Sequence, residues 1–207
     1  MKINKPKIKI NSEFKFGDIL EDEFSNFEIV ESPERKIIIS NTTIDSCIFR
    51  NVDFELVEFE DVELLDVIFE NCNLSNKNFD NKFITRVNFI NCKMTGVSFI
   101  DSTLKDVVFS NCMGRYINFS GSNLSNLRIA SSNLEDSSFI ECFVKNIELV
   151  DNNLSSSRFS NCNLSDIDFR SNNIDYIVMD KYSIKGIIVD TFQCRNIVSN
   201  LGVRVED

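Results

Sequence analysis

The sequence contains no histidine and no tryptophan, and it has only two prolines and six glycines among 207 residues. The lack of histidine excludes every mechanism that depends on an imidazole base or ligand. No stretch approaches the roughly 18 consecutive apolar residues of a membrane-spanning helix, and the N-terminus has no apolar signal-peptide core. The length and these absences predict a single cytoplasmic domain without a membrane attachment.

The chain also has fewer basic residues than acidic residues. The chain has 22 Lys and Arg residues against 32 Asp and Glu residues, which gives a net charge of −10. A protein that binds nucleic acid through its phosphates needs basic patches that displace counterions. Direct nucleic-acid binding is therefore not expected, and the charge either favours a basic partner surface or serves solubility.

Apolar residues, in contrast, recur every five residues over most of the chain. Thirty positions have this spacing from Ile44 to Val189, and all except Gly114 hold Leu, Ile, Val, Phe or Met. The residue two before each of these central positions is mostly small or apolar as well. Helices repeat near 3.6 residues and strands near 2, so neither explains a period of five. A chain with two inward positions in every five residues must turn once per unit.

A unit this short cannot bury its own apolar face, and short repeats solve the problem by stacking into a solenoid with a continuous core. Phenylalanine occupies alternate units from Phe49 to Phe119, which supports four units, or twenty residues, per coil. If coils stack at the inter-strand distance of about 4.8 Å, residues 44–189 form about seven coils and a rod of about 35 Å.

Units such as Cys72-Asn73-Leu74-Ser75-Asn76 resemble the A(D/N)LXX motif of pentapeptide-repeat proteins. The resemblance covers about three quarters of the chain. It implies an all-β fold, a right-handed quadrilateral parallel β-helix in which the central residue and the residue two before it point inward. The helical spacing of apolar residues after residue 190 adds a short C-terminal α-helix to this fold class.

The period divides the chain into three parts. Residues 1–40 are expected to form an N-terminal cap and an imperfect first coil, whose lysines protect an open strand edge. The five-residue register persists faintly there at Phe14, Ile19, Phe24 and Ile29. Residues 41–189 are expected to form the β-helix, and residues 190–207 a capping and dimerisation helix with a tail.

The period becomes helical after residue 190. Asp190 is a suitable N-cap, Gln193 has the spacing of a capping box, and Gly202 has the position of a C′ glycine, so we predict a helix over residues 190–202. The apolar residues with helical spacing are Cys194, Ile197, Val198 and Leu201.

More apolar residues lie at this end than the closure of one coil requires. They either form a monomeric cap or allow two chains to meet end to end. The residues that would form such a dimer interface are Phe192, Cys194, Ile197, Val198, Leu201, Val203 and Val205.

The stretch from Ser183 to Gln193, continued to Val203, is similar to the C-terminal end of the Qnr quinolone-resistance proteins. The uninterrupted register resembles the loop-less members of that subfamily from Gram-positive bacteria. This resemblance implies a homodimer that imitates DNA, binds DNA gyrase and topoisomerase IV, and lowers quinolone susceptibility.

Acidic residues are concentrated in one early stretch and recur more sparsely near the C-terminus. Carboxylates on a narrow rod either imitate the phosphates of DNA, as the resemblance implies, or form a solvated face. The candidate partner-binding face consists of Asp53, Glu55, Glu58, Glu60, Asp61, Glu63, Asp66, Glu70, Glu148, Asp151, Asp166 and Asp168.

Six of the seven cysteines occupy the inward position two before a central residue. This placement favours buried, reduced thiols over disulfides or a metal site, and the chain has no Cys-x-x-Cys pair. Paired carboxylates could serve glycoside hydrolysis or calcium binding. Because no histidine or clustered polar site accompanies them, we expect no enzyme activity, cofactor or metal. The alternative to topoisomerase binding is a structural scaffold with an unrelated protein partner.

Overall fold

The computed structural model describes residues 2–16 and 24–206. In this part of the chain the elements are β1 (Ser12–Glu13), β2 (Phe27–Ile29), β3 (Ile37–Arg50), β4 (Val57–Glu70), β5 (Phe83–Ile90), β6 (Thr103–Ser110), β7 (Asn123–Ala130), β8 (Ser138–Ile140), β9 (Phe143–Val150), β10 (Arg158–Ser160), β11 (Val178–Met179) and α1 (Cys194–Ser199).

The strands stack in parallel with a register of twenty residues. Ile44 lies opposite Leu64, which lies opposite Ile84 in the next coil. One sheet has the order β1-β2-β3-β4-β5-β6-β7-β9, and a second has the order β11-β10-β8. The expected fold class is therefore confirmed: an all-β parallel solenoid with four five-residue units per coil and a short C-terminal helix.

The central residues form the core of the rod. All thirty positions from residue 44 to residue 189 are buried or half-buried. Phenylalanine rings from successive coils stack face to face, as in the pair Phe69 and Phe89, whose ring centroids are 5.2 Å apart and whose planes differ by 4°. At Gly114 the side chain of Ile117 occupies the space that a central side chain fills elsewhere.

The corners of the coils have a conformation that the apolar period did not reveal. Of the thirty residues that stand two after a central position, 23 are non-glycine residues with a positive φ, of which Asn71 and Asp101 are typical. Asn and Asp tolerate the left-handed region better than other residues with a side chain. The polar residues of the repeat are thus required by the turn as well as by solubility.

Where the inward residue two before a central position is Cys, Ser or Asn, its side chain donates to a buried carbonyl group. The Cys92 thiol donates to the carbonyl of Phe69 over 3.4 Å, and the Asn152 amide donates to that of Ile129 over 2.8 Å. The six repeat cysteines are buried and unpaired, and Cys194 is exposed and unpaired. Cys, Ser and Asn fit this position because they are small and can donate a hydrogen bond.

The first residues of the chain lie along the side of the rod, while β1 and β2 stack in parallel on β3 at its N-terminal end. The backbone N–H of Asn4 donates to Asp106 over 3.2 Å, and that of Lys7 donates to Asp66 over 2.8 Å. Residues 2–7 therefore cross several coils lengthwise. Phe24 and Ile29 are buried as expected, Phe14 is 37% exposed and so departs from the register, and Ile19 lies outside the described residues.

The C-terminal helix α1 is six residues long, shorter than the predicted 190–202. Asp190 and Gln193 do exchange the hydrogen bonds of a capping box: an Asp190 carboxylate oxygen accepts the Gln193 N–H over 2.8 Å, and Gln193 Oε1 accepts the Asp190 N–H over 3.1 Å. These bonds close a turn that precedes the helix. Gly202 has a φ of +75°, which agrees with its expected role after the helix.

Candidate functional site

The C-terminal end of the rod presents exposed apolar side chains. Phe192 is 89% exposed, and Leu201, Val203 and Val205 are each about half exposed. Ile197 differs from the sequence-based expectation because it is only 6% exposed and belongs to the core cluster. Helix α1 thus uses Ile197 to close the last coil and leaves Phe192 and the following residues outside. Val198 is half-buried.

Polar contacts fix this cap on the last coil. Gln193 is buried, and its Nε2 donates to the carbonyls of Phe169 and Asn172 over 2.9 and 2.8 Å. Asn200 Nδ2 donates to the carbonyl of Ile177 over 3.0 Å. The exposed apolar residues are therefore carried on a cap that is tied to the rod at both ends of the helix.

The N-terminal acidic residues form a collar around one coil, and this corrects the expectation of a single acidic face. Because each five-residue unit occupies the next face, Asp53 and Glu55 share one face while Glu58 and Glu60 lie on the next. Asp61 stands at the following corner, Glu63 on the third face and Glu70 on the fourth.

Asp66 does not belong to this exposed collar. It is only 5% exposed, and Arg86 binds both of its carboxylate oxygens over 2.6 Å. Burial alone would raise the pKa of Asp66, but the hydrogen bonds from Arg86 and from the Lys7 backbone outweigh it and lower the pKa. The corner position and the N-terminal segment together withdraw this carboxylate from water.

Cations from neighbouring coils neutralise part of the collar. Glu58 lies 2.8 Å from Lys36, Asp61 lies 2.5 Å from Lys82, and Glu70 lies 3.3 Å from Arg50. Among the described residues, no ion-pair partner is found for the exposed Glu55, Glu60 and Glu63. The collar therefore has fewer unpaired carboxylates than its sequence suggests.

The C-terminal acidic residues are brought together. Glu148 and Asp168 occupy equivalent positions in successive coils on one face, and Asp151 and Asp166 stand at its two corners. Glu148 lies 3.6 Å from Arg128, and hydrogen bonds from Arg170 hold the pKa of Asp168 at about 2. Sequence reasoning included these four residues but missed their basic neighbours Arg128 and Arg170.

No group of three or more Cys, Asp or Glu side chains in residues 2–16 and 24–206 is arranged to hold a metal ion. Within the same ranges, no helix has the length and apolar character needed to cross a membrane. The surfaces that remain for function are the apolar cap, the collar and the C-terminal acidic face.

Matches to protein-family models identify the family of this chain. A model of pentapeptide repeats matches residues 38–76 and 132–170, and a model of a pentapeptide repeat region matches residues 62–139. The chain belongs to the pentapeptide-repeat family. The matches run without a gap from residue 38 to residue 170 of this pentapeptide-repeat protein.

Solved structures of other pentapeptide-repeat proteins are similar to it at low identity. QnrB1, a plasmid-mediated fluoroquinolone resistance protein, is 17% identical over 97% of both chains, with a TM-score of 0.44. A protein from the Arabidopsis thaliana thylakoid lumen is 22% identical over 44% of this chain and 63% of its own, with a TM-score of 0.42. HetL, which is involved in heterocyst differentiation regulation in Nostoc, is 10% identical over 89% of this chain and 92% of its own, with a TM-score of 0.40. The comparison with curated proteins finds no match.

Proposed function

We propose that this protein is a cytoplasmic, non-catalytic homodimer that occupies the DNA-binding path of DNA gyrase or topoisomerase IV and lowers quinolone susceptibility. The observation that carries the proposal is the exposed apolar cap, with Phe192 89% exposed, at one end of a rod whose net charge is −10. The C-terminal sequence that resembles the Qnr proteins includes this cap.

The dimensions and charge of the rod are compatible with a DNA mimic. One chain forms a rod of about 35 Å, so two chains joined at their caps would span about 70 Å, the axial length of about 20 base pairs. A net charge of −10 over that rod is about one charge per 3.5 Å, half the density of about one per 1.7 Å in duplex DNA. A basic saddle built for DNA would attract such a rod.

Gyrase supercoiling with and without a fluoroquinolone tests the proposal. The parent protein is titrated beside the double variant Phe192→Asp/Leu201→Asp, which places charge in the apolar patch. Phe83→Asp is the matched control because Phe83 is 58% exposed on a face in the middle of the rod. Protection by the parent and the control, but not by the double variant, is the expected result.

Two other results would redirect the interpretation. Inhibition by the parent without protection from the drug would keep DNA mimicry and reject a role in resistance. No effect on gyrase or topoisomerase IV would reject the proposal and leave a scaffold with an unrelated partner. That alternative is favoured by the collar, whose carboxylates surround the rod, whereas a substitute for DNA needs its charge on the side that meets the basic saddle.

A further inference from the structure

The N-terminal segment, residues 2–10, runs lengthwise along one corner of the rod. The residues at this corner, one from each successive coil, form a row with a left-handed backbone conformation. The row consists of Ser46, Asp66, Arg86, Asp106, Asn126, Asn146, Asp166 and Gly186. Lys7 contacts Asp66, and Lys2 lines a cavity of about 620 Å³ together with Asp166. The segment therefore reaches from the N-terminal coils to the C-terminal acidic face.

Side chains of the corner row hold the segment, whose backbone joins no ladder. The segment forms no backbone–backbone hydrogen bond with any described residue. Instead, the Lys7 N–H donates to Asp66 Oδ1 over 2.8 Å, and Ser46 Oγ donates to the Lys7 carbonyl over 3.3 Å. The Asn4 N–H and Nδ2 donate to the two carboxylate oxygens of Asp106 over 3.2 and 3.0 Å. Two aspartates and one serine thus supply the polar attachment.

Asp106 depends on the segment to replace its lost hydration. It is only 1% exposed, and no described cation forms an ion pair with it. Its donors are the two N–H groups from Asn4 and one from Asn126 Nδ2, which lies 3.0 Å from Oδ1. A buried carboxylate is costly unless such donors surround it. When the segment leaves, Asp106 therefore loses two of its three donors and returns to water.

The attachment is weak enough for the segment to open while the coils stay intact. Its apolar side chains Ile3, Pro6 and Ile8 are only half-buried. The hydrogen bonds to the carboxylates are opposed by the backbone entropy that the ordered residues lose, and the two contributions are of similar size. An element without ladder bonds opens at a lower free energy than a core strand. The segment is thus an element with two positions on a rigid rod.

The position of the segment changes the charge of this corner. Four exposed lysines belong to it, and none forms an ion pair with a described residue: Lys2, Lys5, Lys7 and Lys9. In the closed position their charges lie along the corner that leads to the C-terminal acidic face. An extended chain spans about 3.3 Å per residue, and salt at about 0.1 M screens charges beyond about 10 Å. Release therefore carries the lysines at the far end out of range and uncovers two carboxylates.

We propose that the N-terminal segment is an autoinhibitory latch on this corner of the rod. In the closed position its lysines repel a basic partner surface, and in the open position the carboxylates of Asp66 and Asp106 attract that surface. The latch rests on the proposed function in one respect, the basic character of the partner. A basic saddle binds the open form more tightly and so shifts the population towards it.

Two variants of the full chain test the latch without a change in the coils. Asn4→Pro/Lys7→Pro removes both N–H donors to the aspartates, since proline has none. Lys5→Pro is the matched control, because it also loses one lysine, whereas the Lys5 N–H forms no hydrogen bond with a described residue. Trypsin cleavage after Lys9, which all three proteins retain, should be at least about tenfold faster in the double variant. Equal cleavage rates would mean that these bonds do not hold the segment and would overturn the proposal.

Binding of a decalysine peptide separates the latch from topoisomerase binding. Calorimetry at low ionic strength should show at least about fivefold tighter binding to the double variant than to the control of equal charge. In the supercoiling assay the double variant should act at a correspondingly lower concentration. Tighter peptide binding, with no effect of any of the three proteins on gyrase or topoisomerase IV, would reject the proposed function and support the latch. Equal peptide affinity in the two variants would reject the latch, whatever the topoisomerases show.

Discussion

Asp66 and Arg86 form a bidentate ion pair that is largely withdrawn from water. The Asp66 side chain is 7% exposed, and the Arg86 side chain is 22% exposed. Arg86 stands at a left-handed corner with a φ of 53°, a position that Asn, Asp or Gly holds in most coils. Arg86 thus adopts a strained backbone conformation at the position where its side chain can neutralise a buried carboxylate.

Replacement of Arg86 by leucine should destabilise the protein by about 3 kcal/mol, because it leaves the Asp66 carboxylate buried without its cation. Arg170→Leu is the matched control, since it breaks an exposed pair with Asp168 that solvent screens and should destabilise the protein far less. Urea unfolding at pH 7 measures both changes. Equal losses in the two variants would contradict a special role for burial.

The N-terminal segment should detach in acid. Burial opposes the charged forms of Asp66 and Asp106, but hydrogen bonds from Arg86 and Lys7, and from Asn4 and Asn126, lower both pKa values. A lowered pKa stabilises the folded state above the ordinary Asp pKa of about 3.9, and this stability is lost as pH falls through the folded values. Amide NMR signals of Asn4 and Lys7 should therefore shift with midpoints below 3.9.

The double variant Asp66→Asn/Asp106→Asn is the control for this titration. It removes both carboxylates while it keeps side chains of the same size, so the acid-dependent shifts at Asn4 and Lys7 should disappear. Shifts that persist in the variant would assign the transition to other groups.

At the scale of elements, the local period predicted the coils and the position of the cap but not the long contacts. The register follows from five-residue spacing because each unit packs against the same unit twenty residues away. The collar around Asp53 to Glu70 was also readable from that register, since successive units must face different directions. The contacts of Asn4 with Asp106 and of Lys7 with Asp66 join residues 102 and 59 positions apart, and no local pattern encodes them.

Residues 143–150 and 163–170 form no backbone hydrogen bond with each other, and the sequence pattern did not predict this gap in the ladder either. Val144 and Ile147 occupy regular inward positions and are apolar like their neighbours. Backbone hydrogen bonding between adjacent coils depends on how well two whole coils fit each other. The five-residue spacing of apolar residues does not measure that fit. Asp66 was misplaced for a similar reason, because its burial comes from a cation twenty residues away and from the N-terminal segment.

The cap should loosen locally when Gln193 is replaced by alanine. The change removes the donor for the Phe169 and Asn172 carbonyls and should lower the free energy of local opening by about 2 kcal/mol. Amide exchange in residues 190–200 should then accelerate by about thirtyfold, with little change in the coils. Asn196→Ala is the control, since its bond to Asp175 is exposed and should matter much less. Acceleration throughout the rod would instead indicate that Gln193 supports the whole solenoid.

At the scale of the whole molecule, the reactivity of the cysteine thiols can report whether the protein is a monomer or a dimer. Burial raises the pKa of Cys47 and of Cys112 to about 12, so these thiols should not react in the folded state at neutral pH. Cys194 is exposed in the single chain and lies among the residues proposed for the dimer interface. Its reaction with a thiol reagent should therefore distinguish a monomer from an end-to-end dimer.

We expect one fast thiol per chain in dilute protein and a progressively slower reaction as concentration rises, in step with a doubling of the mass by light scattering. Phe192→Asp should weaken dimerisation by at least about tenfold, because it places a charge where an aromatic side chain would be buried between two chains. Phe83→Asp, which replaces a ring 58% exposed in the middle of the rod, should leave both readings unchanged. A monomeric mass and a constant Cys194 rate at all concentrations would assign the cap to a single chain, and an acidic rod of half the length would then have to account for any effect on a topoisomerase.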